Sequence, residues 1–501
     1  MTVVPSPAVG PSLTRRALIA VALLVGFYLL GLAIAAGLLA APWALWEYAG
    51  RVNAKLALFC IVGAGAILWG LLPRRDRFEP PGPTLTPGDQ PELFALLRDV
   101  AQQTGQAMPA QVFLVGDLNA WVSQRGGFMG IGSQRVMGVG LPLLQALSVD
   151  EFRGVMAHEF GHYHGGDTAL GPWLYRTRAA IGRTLHTLAQ HSEVLMKPFE
   201  WYGNAFLRVT HAISRQQEFV ADRVAAGVVG RDAMMSGLRS VHALAGAYDA
   251  YWHSEVVPAL QTGWRPPVAA GFAHFVSVPG VASQVSHALQ AALSSTEAAD
   301  PYDTHPPLTE RLAALESAAT APRESDRRPS IALIRDLPGV EAQLVAFLTA
   351  NKPLTATSWE SLAEQAYVPS WHAARSELLP RLRGWTVAQL AAFVGHPAEL
   401  TKAWALDIPS EATPEEALAQ VTGTAGACLA SALETAGAAV HTLPGEPVVL
   451  TTSAGACQPF ALARGLFTDG ANPDEWLTTV RAAGLAEVPL DAPVPPGSAP
   501  G

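Results

Sequence analysis

The sequence has few cysteines and little charge for its length. It contains 3 cysteines in 501 residues, and charged residues make up 15% of it. Cys60 lies inside an apolar run, and Cys428 and Cys457 lie late in the chain, which excludes the dense disulfide framework of small secreted proteins. Half of the residues are hydrophobic, enough for a sizeable core and for two or three domains.

Positively charged residues are fewer than negatively charged ones. Lys and Arg number 33 against 42 Asp and Glu, which gives a formal net charge of −9 at pH 7. A protein that binds nucleic acid has to neutralise phosphates with a basic surface. The charge balance therefore excludes nucleic acid as an expected partner, and the sequence contains no internal repeats that would suggest a repeat architecture.

Two segments near the N terminus lack charge altogether. The run 17–41 lies in a stretch without charge between Arg16 and Glu47, and it exceeds the about 20 apolar residues that cross a bilayer. A second uncharged run covers 56–73. We expect a transmembrane hairpin with helices at about 17–41 and 56–73 and a connector up to residue 82. The alternative for the first run is a cleaved signal peptide, whose apolar region is shorter, about 7–15 residues.

Aromatic and basic residues around the two runs predict how the hairpin lies in the membrane. The segment between the two runs contains Trp43, Trp46 and Tyr48, and we expect these aromatic residues to lie at the membrane interface. Basic residues flank the hairpin at Arg15, Arg16, Arg74, Arg75 and Arg77, whereas the loop has only Arg51 and Lys55. Because positive flanks stay inside, we expect a multi-pass protein of the inner (plasma) membrane whose following domain faces the cytoplasm.

After the hairpin, helix and strand signals alternate. A helix is expected from Pro91 to Gly105, and strands are expected within 110–124 and 134–140. Ser148 and Glu151 form a capping box that should start a helix near Val149, with glycines at 165 and 166 ending it. The pattern predicts an α+β, mainly helical fold.

The later part of the chain divides at a segment rich in charge and proline, 320–330. We expect one domain over 83–320, a mixed α/β unit of unknown role over 331–489, and a disordered tail over 490–501. The uncharged segment 266–296 contains Pro279-Gly280 and several polar residues, so packed helices are expected there rather than a third span.

The stretch "VMAHEFGHYHGGD" places two histidines four residues apart. On a helix, His158 and His162 share one face and can both bind one metal ion, and zinc accepts imidazole nitrogen readily. Glu159 lies beside that face, where a carboxylate can take a proton from water instead of binding the metal. The alternative is a pair of surface histidines.

A catalytic zinc needs a third protein ligand. The metzincin pattern would need His at position 168, which is Thr, and no acidic residue occurs from Thr168 to Ser192 for a closely spaced glutamate. Glu218 and Asp222 form the only Glu-x-x-x-Asp pair between 168 and 300, among apolar neighbours. We expect Glu218 as third ligand and Asp222 as acceptor from a ligating histidine. The alternative is a solvated helix face.

Over about residues 85–315, the motif His158-Glu159-x-x-His162, the pair Glu218 and Asp222, and "THPPLTER" from Thr304 resemble the HtpX-like and CAAX-prenyl-endopeptidase family of membrane zinc metallopeptidases. The resemblance implies a zincin-type (gluzincin) domain with a small edge sheet. One zinc ion would be held by His158, His162 and Glu218, with Glu159 as general base. Asn119 and Ala120 would line the substrate by β-augmentation, and His305 would donate a hydrogen bond to the oxyanion.

The sequence departs from this family in two ways. HtpX carries further membrane helices between its zinc motifs, whereas the segment 168–230 here contains no uncharged stretch of that length, and the unit after residue 330 has no recognised counterpart. We expect a membrane-anchored zinc endopeptidase that acts on peptides or proteins. The alternative is a membrane-tethered binding or sensor protein on a peptidase scaffold, although a scaffold has no need of Glu159. The sequence does not indicate an oligomeric state.

Overall fold

The computed structural model describes residues 11–72, 78–126, 132–163, 171–190, 192–294, 306–318 and 325–494. The chain is mainly helical with small sheets, which confirms the expected fold class; the zincin-type assignment stays a prediction. It divides into two compact units, a first unit of residues 1–245 with 286–348 and a second unit of 246–285 with 349–501. This division differs from the linear boundaries at 320 and 331 that the sequence suggested.

The first unit begins with the two apolar helices, α1 (Pro11–Ala49) and α2 (Ala54–Leu71). Both are long and apolar enough to cross a membrane. Helix α1 continues through Pro42, so the three aromatic residues expected in a loop lie on its last turns, where Trp43, Trp46 and Tyr48 are 66%, 62% and 89% exposed. The loop is therefore short, and Asn53 caps α2 with its side-chain oxygen 2.9 Å from the Lys55 amide.

Two further helices, α6 (Gly171–Ala189) and α7 (Glu193–Val229), pack against this hairpin. The Tyr202 hydroxyl donates to the Leu23 carbonyl of α1 at 2.7 Å, and Gly70 of α2 leaves room for Thr184 of α6. The four helices share a core that includes Phe27, Ile67, Ile181, Phe199 and Phe206. Helices α6 and α7 are therefore not separate from the hairpin.

A four-stranded sheet lies in the first unit, with strand order β1-β2-β4-β3. Its strands are β1 (Thr84–Leu85), β2 (Gln111–Val115), β3 (Ala120–Arg125) and β4 (Gln134–Gly140). β4 runs parallel to β2 and antiparallel to β3. Helices α3 (Pro91–Gln103) and α4 (Leu141–Ala146) flank the strands in sequence, and α3 has the predicted bounds to within two residues.

The motif helix α5 (Val149–Gly161) starts at the predicted capping box: Glu151 accepts from the Ser148 amide at 2.8 Å, and Ser148 accepts from the Glu151 amide at 3.4 Å. The helix ends at Gly161 with His162 as its cap residue, and the two glycines expected to end it lie outside the described residues. His162 nevertheless keeps helical torsion angles and donates its amide to the His158 carbonyl at 3.1 Å. The i, i+4 relation of the two histidines is thus preserved.

The core of the first unit is completed by α8 (Arg231–Tyr251), α12 (Leu308–Glu316) and α13 (Leu337–Leu348). The described end of the expected linker 320–330 is part of this packing. The Val149 amide donates to the Arg328 carbonyl at 2.8 Å, and Ser330 is fully buried. This segment pairs with the start of α5, and the first unit continues beyond it to Leu348.

The second unit contains short helices and two small sheets. Its helices are α9 (Val257–Gln261), α10 (Val268–Ser277), α14 (Trp359–Leu362), α15 (Val368–Leu378), α16 (Pro397–Trp404), α17 (Pro414–Thr435), α18 (Pro459–Gly465) and α19 (Pro473–Ala482). Its strands are β5 (Trp264–Arg265), β6 (Thr355–Ala356), β7 (Ala439–His441), β8 (Val449–Thr452) and β9 (Gly455–Cys457). Leu490 is fully buried and donates to the Trp385 carbonyl at 2.8 Å, so the expected tail begins later than residue 490.

Helix α11 (Pro279–Ser294) joins the two units in sequence. Together with α10 it forms the uncharged segment for which packed helices were expected. The two helices meet at an angle of 79°, and by length and composition the bent pair would also qualify as a third span. The absence of a third span therefore stays a prediction.

Candidate metal centre

Helices α5 and α7 bring His158, His162 and Glu218 together. One ligand atom from each lies within 4.8 Å of the others, and His158 and Glu218 are buried. The Nε2 atoms of the two histidines are 3.1 Å apart. His158 Nε2 lies 3.5 Å from Oε2 of Glu218, and His162 Nε2 lies 3.5 Å from Oε1. Two imidazoles and one carboxylate converge here from positions sixty residues apart.

These separations fit a tetrahedral metal ion. Ligand atoms about 2.0–2.1 Å from a tetrahedral zinc are about 3.3 Å from one another. The observed separations of 3.1, 3.5 and 3.5 Å lie close to that value, with each histidine facing a different oxygen of the carboxylate. Nitrogen and carboxylate oxygen are also the donor set of a catalytic zinc, which has three protein ligands and one open position. The residues therefore fit a zinc ion.

Small residues let α5 and α7 approach closely enough for this convergence. A Cβ atom on Gly161 would lie 2.9 Å from the Cα atom of Ala221, and Ala157 and Ala225 are fully buried in the same interface. Because a backbone atom cannot move aside as a flexible side chain does, Gly161 is needed where the helices cross. The sequence reasoning missed this role, although a glycine inside the predicted helix was its visible signal.

Asp222 lies where the sequence predicted, beside the outer nitrogen of a candidate ligand. Its Oδ1 atom is 2.8 Å from His158 Nδ1. Arg311 of α12 donates two hydrogen bonds to the same carboxylate, at 2.8 and 2.6 Å, and its Nη2 atom is 3.6 Å from Glu218. The sequence reasoning missed Arg311 as a site residue, although it lies in the quoted segment "THPPLTER".

Burial and these charges shift the pKa values of the two histidines in opposite directions. Burial favours the neutral imidazole, but Asp222 and Glu218 outweigh burial and raise the pKa of His158 to about 9. Burial and the charge of His158 lower the pKa of His162 to about 4. For Asp222 burial acts to raise the pKa, but Arg311 and His158 outweigh it and lower the pKa. Because a metal binds neutral imidazole, a cation at this site competes with the proton on His158.

Glu159 is half-buried next to His158 on α5. Its carboxylate is close enough to Arg311 and Tyr163 to raise the pKa of both groups, in each case together with larger causes. It is therefore close to the candidate ligands without being one of the three converging groups. This arrangement agrees with the predicted division between metal ligands and a general base.

The predicted substrate residues lie at the edge of the sheet. Asn119 is exposed just before β3, Ala120 is buried at the start of β3, and β3 is the last strand in the sheet order. The structure thus places them on an edge strand, next to α5. His305 lies outside the described residues, so its predicted role is not examined by the geometry.

The site combines an HExxH motif on one helix with a glutamate from a second helix, a group that could hold a metal ion. Comparison with known proteins agrees with this class. The family model of peptidase family M48 matches residues 87–319. Residues 87–319 are therefore similar to the M48 peptidases, and the expected HtpX-like relationship is confirmed.

Three similar proteins are each called a protease HtpX homolog. One from Gemmatimonas aurantiaca is 27% identical over 261 residues, covering 47% of this chain and 78% of that protein. One from Desulfatibacillum aliphaticivorans is 25% identical, covering 47% of this chain and 71% of that protein. One from Paraburkholderia phytofirmans is 28% identical over 30% of this chain and 56% of that protein. No solved structure shows significant similarity to the chain.

Proposed function

We propose that this protein is a membrane-anchored, zinc-dependent endopeptidase. The observation that carries the proposal is the convergence of His158, His162 and Glu218 at separations suited to one zinc ion, with Glu159 adjacent. The M48 domain supports peptide-bond hydrolysis as the reaction.

In this mechanism the protein residues bind, orient and move a proton. A zinc ion bound at such a site polarises the scissile carbonyl and lowers the pKa of water. Glu159 takes the proton from the attacking water and returns it to the leaving amine. Asp222 orients His158, while Arg311 holds the Asp222 carboxylate in place. His305 is proposed to donate a hydrogen bond to the oxyanion.

The substrate is proposed to bind as an added strand along β3. An extended peptide can pair with an exposed sheet edge through its main chain. Asn119 and Ala120 lie at the start of the last strand in the sheet order, next to the motif helix. We propose that peptides or unfolded protein segments are the substrates, and that the flanking arginines keep this domain on the cytoplasmic side.

Replacing the general base tests the mechanism. Glu159→Gln removes the proton acceptor but none of the three candidate ligands, so we expect unchanged zinc content and loss of casein hydrolysis. Mutant and wild-type proteins would be compared by metal analysis and by release of casein fragments. The matched control is Glu310→Gln, on the first turn of α12.

Each outcome of this comparison has a clear meaning. Casein hydrolysis by Glu159→Gln at the wild-type rate would rule out Glu159 as the base. A wild-type protein that binds zinc but cleaves nothing would instead support the alternative of a binding or sensor protein on a peptidase scaffold.

A further inference from the structure

Two outward-facing backbone groups of β3 are hydrogen-bonded to side chains. The Asn119 carbonyl accepts from the Gly140 amide of β4 at 2.9 Å, so odd-numbered positions of this strand face β4. The outward groups therefore belong to Ala120, Val122 and Gln124. The Ala120 amide donates to the Asn119 side chain at 2.8 Å, and the Val122 carbonyl accepts from the Tyr163 hydroxyl at 3.1 Å.

Tyr163 is held firmly in this position. It follows the candidate ligand His162 directly, and its carbonyl accepts from the Gln106 side chain at 3.2 Å. The Arg135 guanidinium lies over its ring at 4.1 Å and donates to the Ala107 carbonyl at 3.0 Å. The ring is therefore fixed between the end of the motif helix and the sheet, with its hydroxyl directed at the strand edge.

A peptide that adds to this edge needs the same carbonyl. In an antiparallel or parallel pairing, a backbone amide of the added strand would donate to the Val122 carbonyl, and a carbonyl of the added strand would accept from the Val122 amide. Proteins keep sheet edges from pairing with other chains by covering them with other parts of the fold. Binding of a peptide at Val122 must therefore compete with the Tyr163 hydroxyl.

We propose that Tyr163 is a specificity-determining cap on the substrate edge: its hydroxyl closes the Val122 position, and an extended peptide has to displace it to dock. This inference rests on the proposed function, since it assumes that β3 receives the substrate. Tyr163 acts on peptide affinity and not on the reacting atoms. The cap favours segments that offer an unhindered backbone amide at this register.

The test measures peptide binding in the absence of cleavage. On the Glu159→Gln background, a fluorescent casein peptide is titrated against proteins with Tyr163 or with Tyr163→Phe. Removing the hydroxyl leaves the carbonyl available, so we expect binding to tighten about fivefold, the value of one net hydrogen bond. The same peptide with an N-methyl group at the residue that pairs with Val122 should lose this gain.

The matched control is Tyr251→Phe. In the second unit, the Tyr251 hydroxyl donates to the Val268 carbonyl at 2.8 Å, so this variant also removes a hydrogen bond from a tyrosine to a carbonyl. It should leave peptide affinity unchanged. If Tyr163→Phe does not fold, Arg135→Met, which removes the cation over the ring, should tighten binding in the same direction. Unchanged or weaker binding in the tyrosine variant, or no peptide binding at all, would overturn the cap.

Failure of the cap and failure of the proposed function are distinguishable. If the wild-type protein cleaves no peptide but Tyr163→Phe still tightens binding, the cap stands and the enzymatic proposal fails. If the wild-type protein cleaves casein, Glu159→Gln does not, and Tyr163→Phe leaves affinity unchanged, the enzyme stands and the cap fails.

Discussion

At the scale of single residues, the candidate metal centre depends on a chain of charges behind its proposed ligands. Arg311 fixes Asp222 through two hydrogen bonds, and Asp222 lies 2.8 Å from the outer nitrogen of His158. A carboxylate at that position favours the tautomer whose other nitrogen faces the metal. Both partners are buried, so neither can be replaced by water without a local rearrangement.

Asp222→Asn tests this chain of charges. The amide keeps the size of the side chain but loses the negative charge that orients His158, so we expect zinc affinity to fall about 10- to 100-fold. Competition with a chromophoric chelator measures the change. Asp249→Asn is the control, because Asp249 also lies beside a histidine Nδ1, at 3.3 Å, but is 78% exposed. Equal zinc affinity in wild-type protein and Asp222→Asn would contradict the orienting role.

At the scale of helices, the site exists because α5 and α7 cross closely. Gly161→Ala would place a Cβ atom 2.9 Å from the Ala221 backbone and force the helices apart. We expect the free energy of unfolding to fall by about 1–3 kcal/mol, the usual cost of overpacking, and zinc affinity to fall as the ligands separate. Thermal unfolding and chelator competition would measure the two effects.

The control for this substitution is Gly246→Ala in α8, where a Cβ atom meets nothing within 4 Å. Alanine stabilises an exposed helix by about 1 kcal/mol relative to glycine, so this variant should be as stable as wild type or more so. Unaltered zinc affinity and stability in Gly161→Ala would show that the helices can separate without affecting the centre.

Local patterns made some elements predictable and left others out of reach. The capping box at Ser148 and the i, i+4 pairs His158/His162 and Glu218/Asp222 are encoded within a few residues, so the sequence could indicate them. Arg311 contacts Asp222 across 89 positions in the chain, a pairing that no local pattern reveals. The packing of α6 on the hairpin was not predicted, because charged residues interrupt the apolar run in its sequence.

At the scale of the whole first unit, one helix connects the membrane segment to the metal centre. The 37-residue helix α7 packs on α1 and α2 through Phe199 and Phe206 and carries Glu218 and Asp222 further along. At about 1.5 Å per residue, Phe199 and Glu218 are roughly 28 Å apart along a continuous helix. The position of the third candidate ligand is thus tied to the two apolar helices of the hairpin.

The charges that flank the hairpin predict its orientation in the membrane, and this orientation can be measured. With arginines before and after the hairpin and fewer basic residues in its loop, we expect the loop outside and the peptidase domain in the cytoplasm. The three natural cysteines are buried and unpaired, so they give little background for thiol labelling. The cysteine added in Tyr48→Cys should react with an impermeant maleimide in intact cells, because Tyr48 is 89% exposed at the end of α1. Asp89→Cys, before α3, should react only after lysis; the reverse pattern would place the metal centre outside the cell.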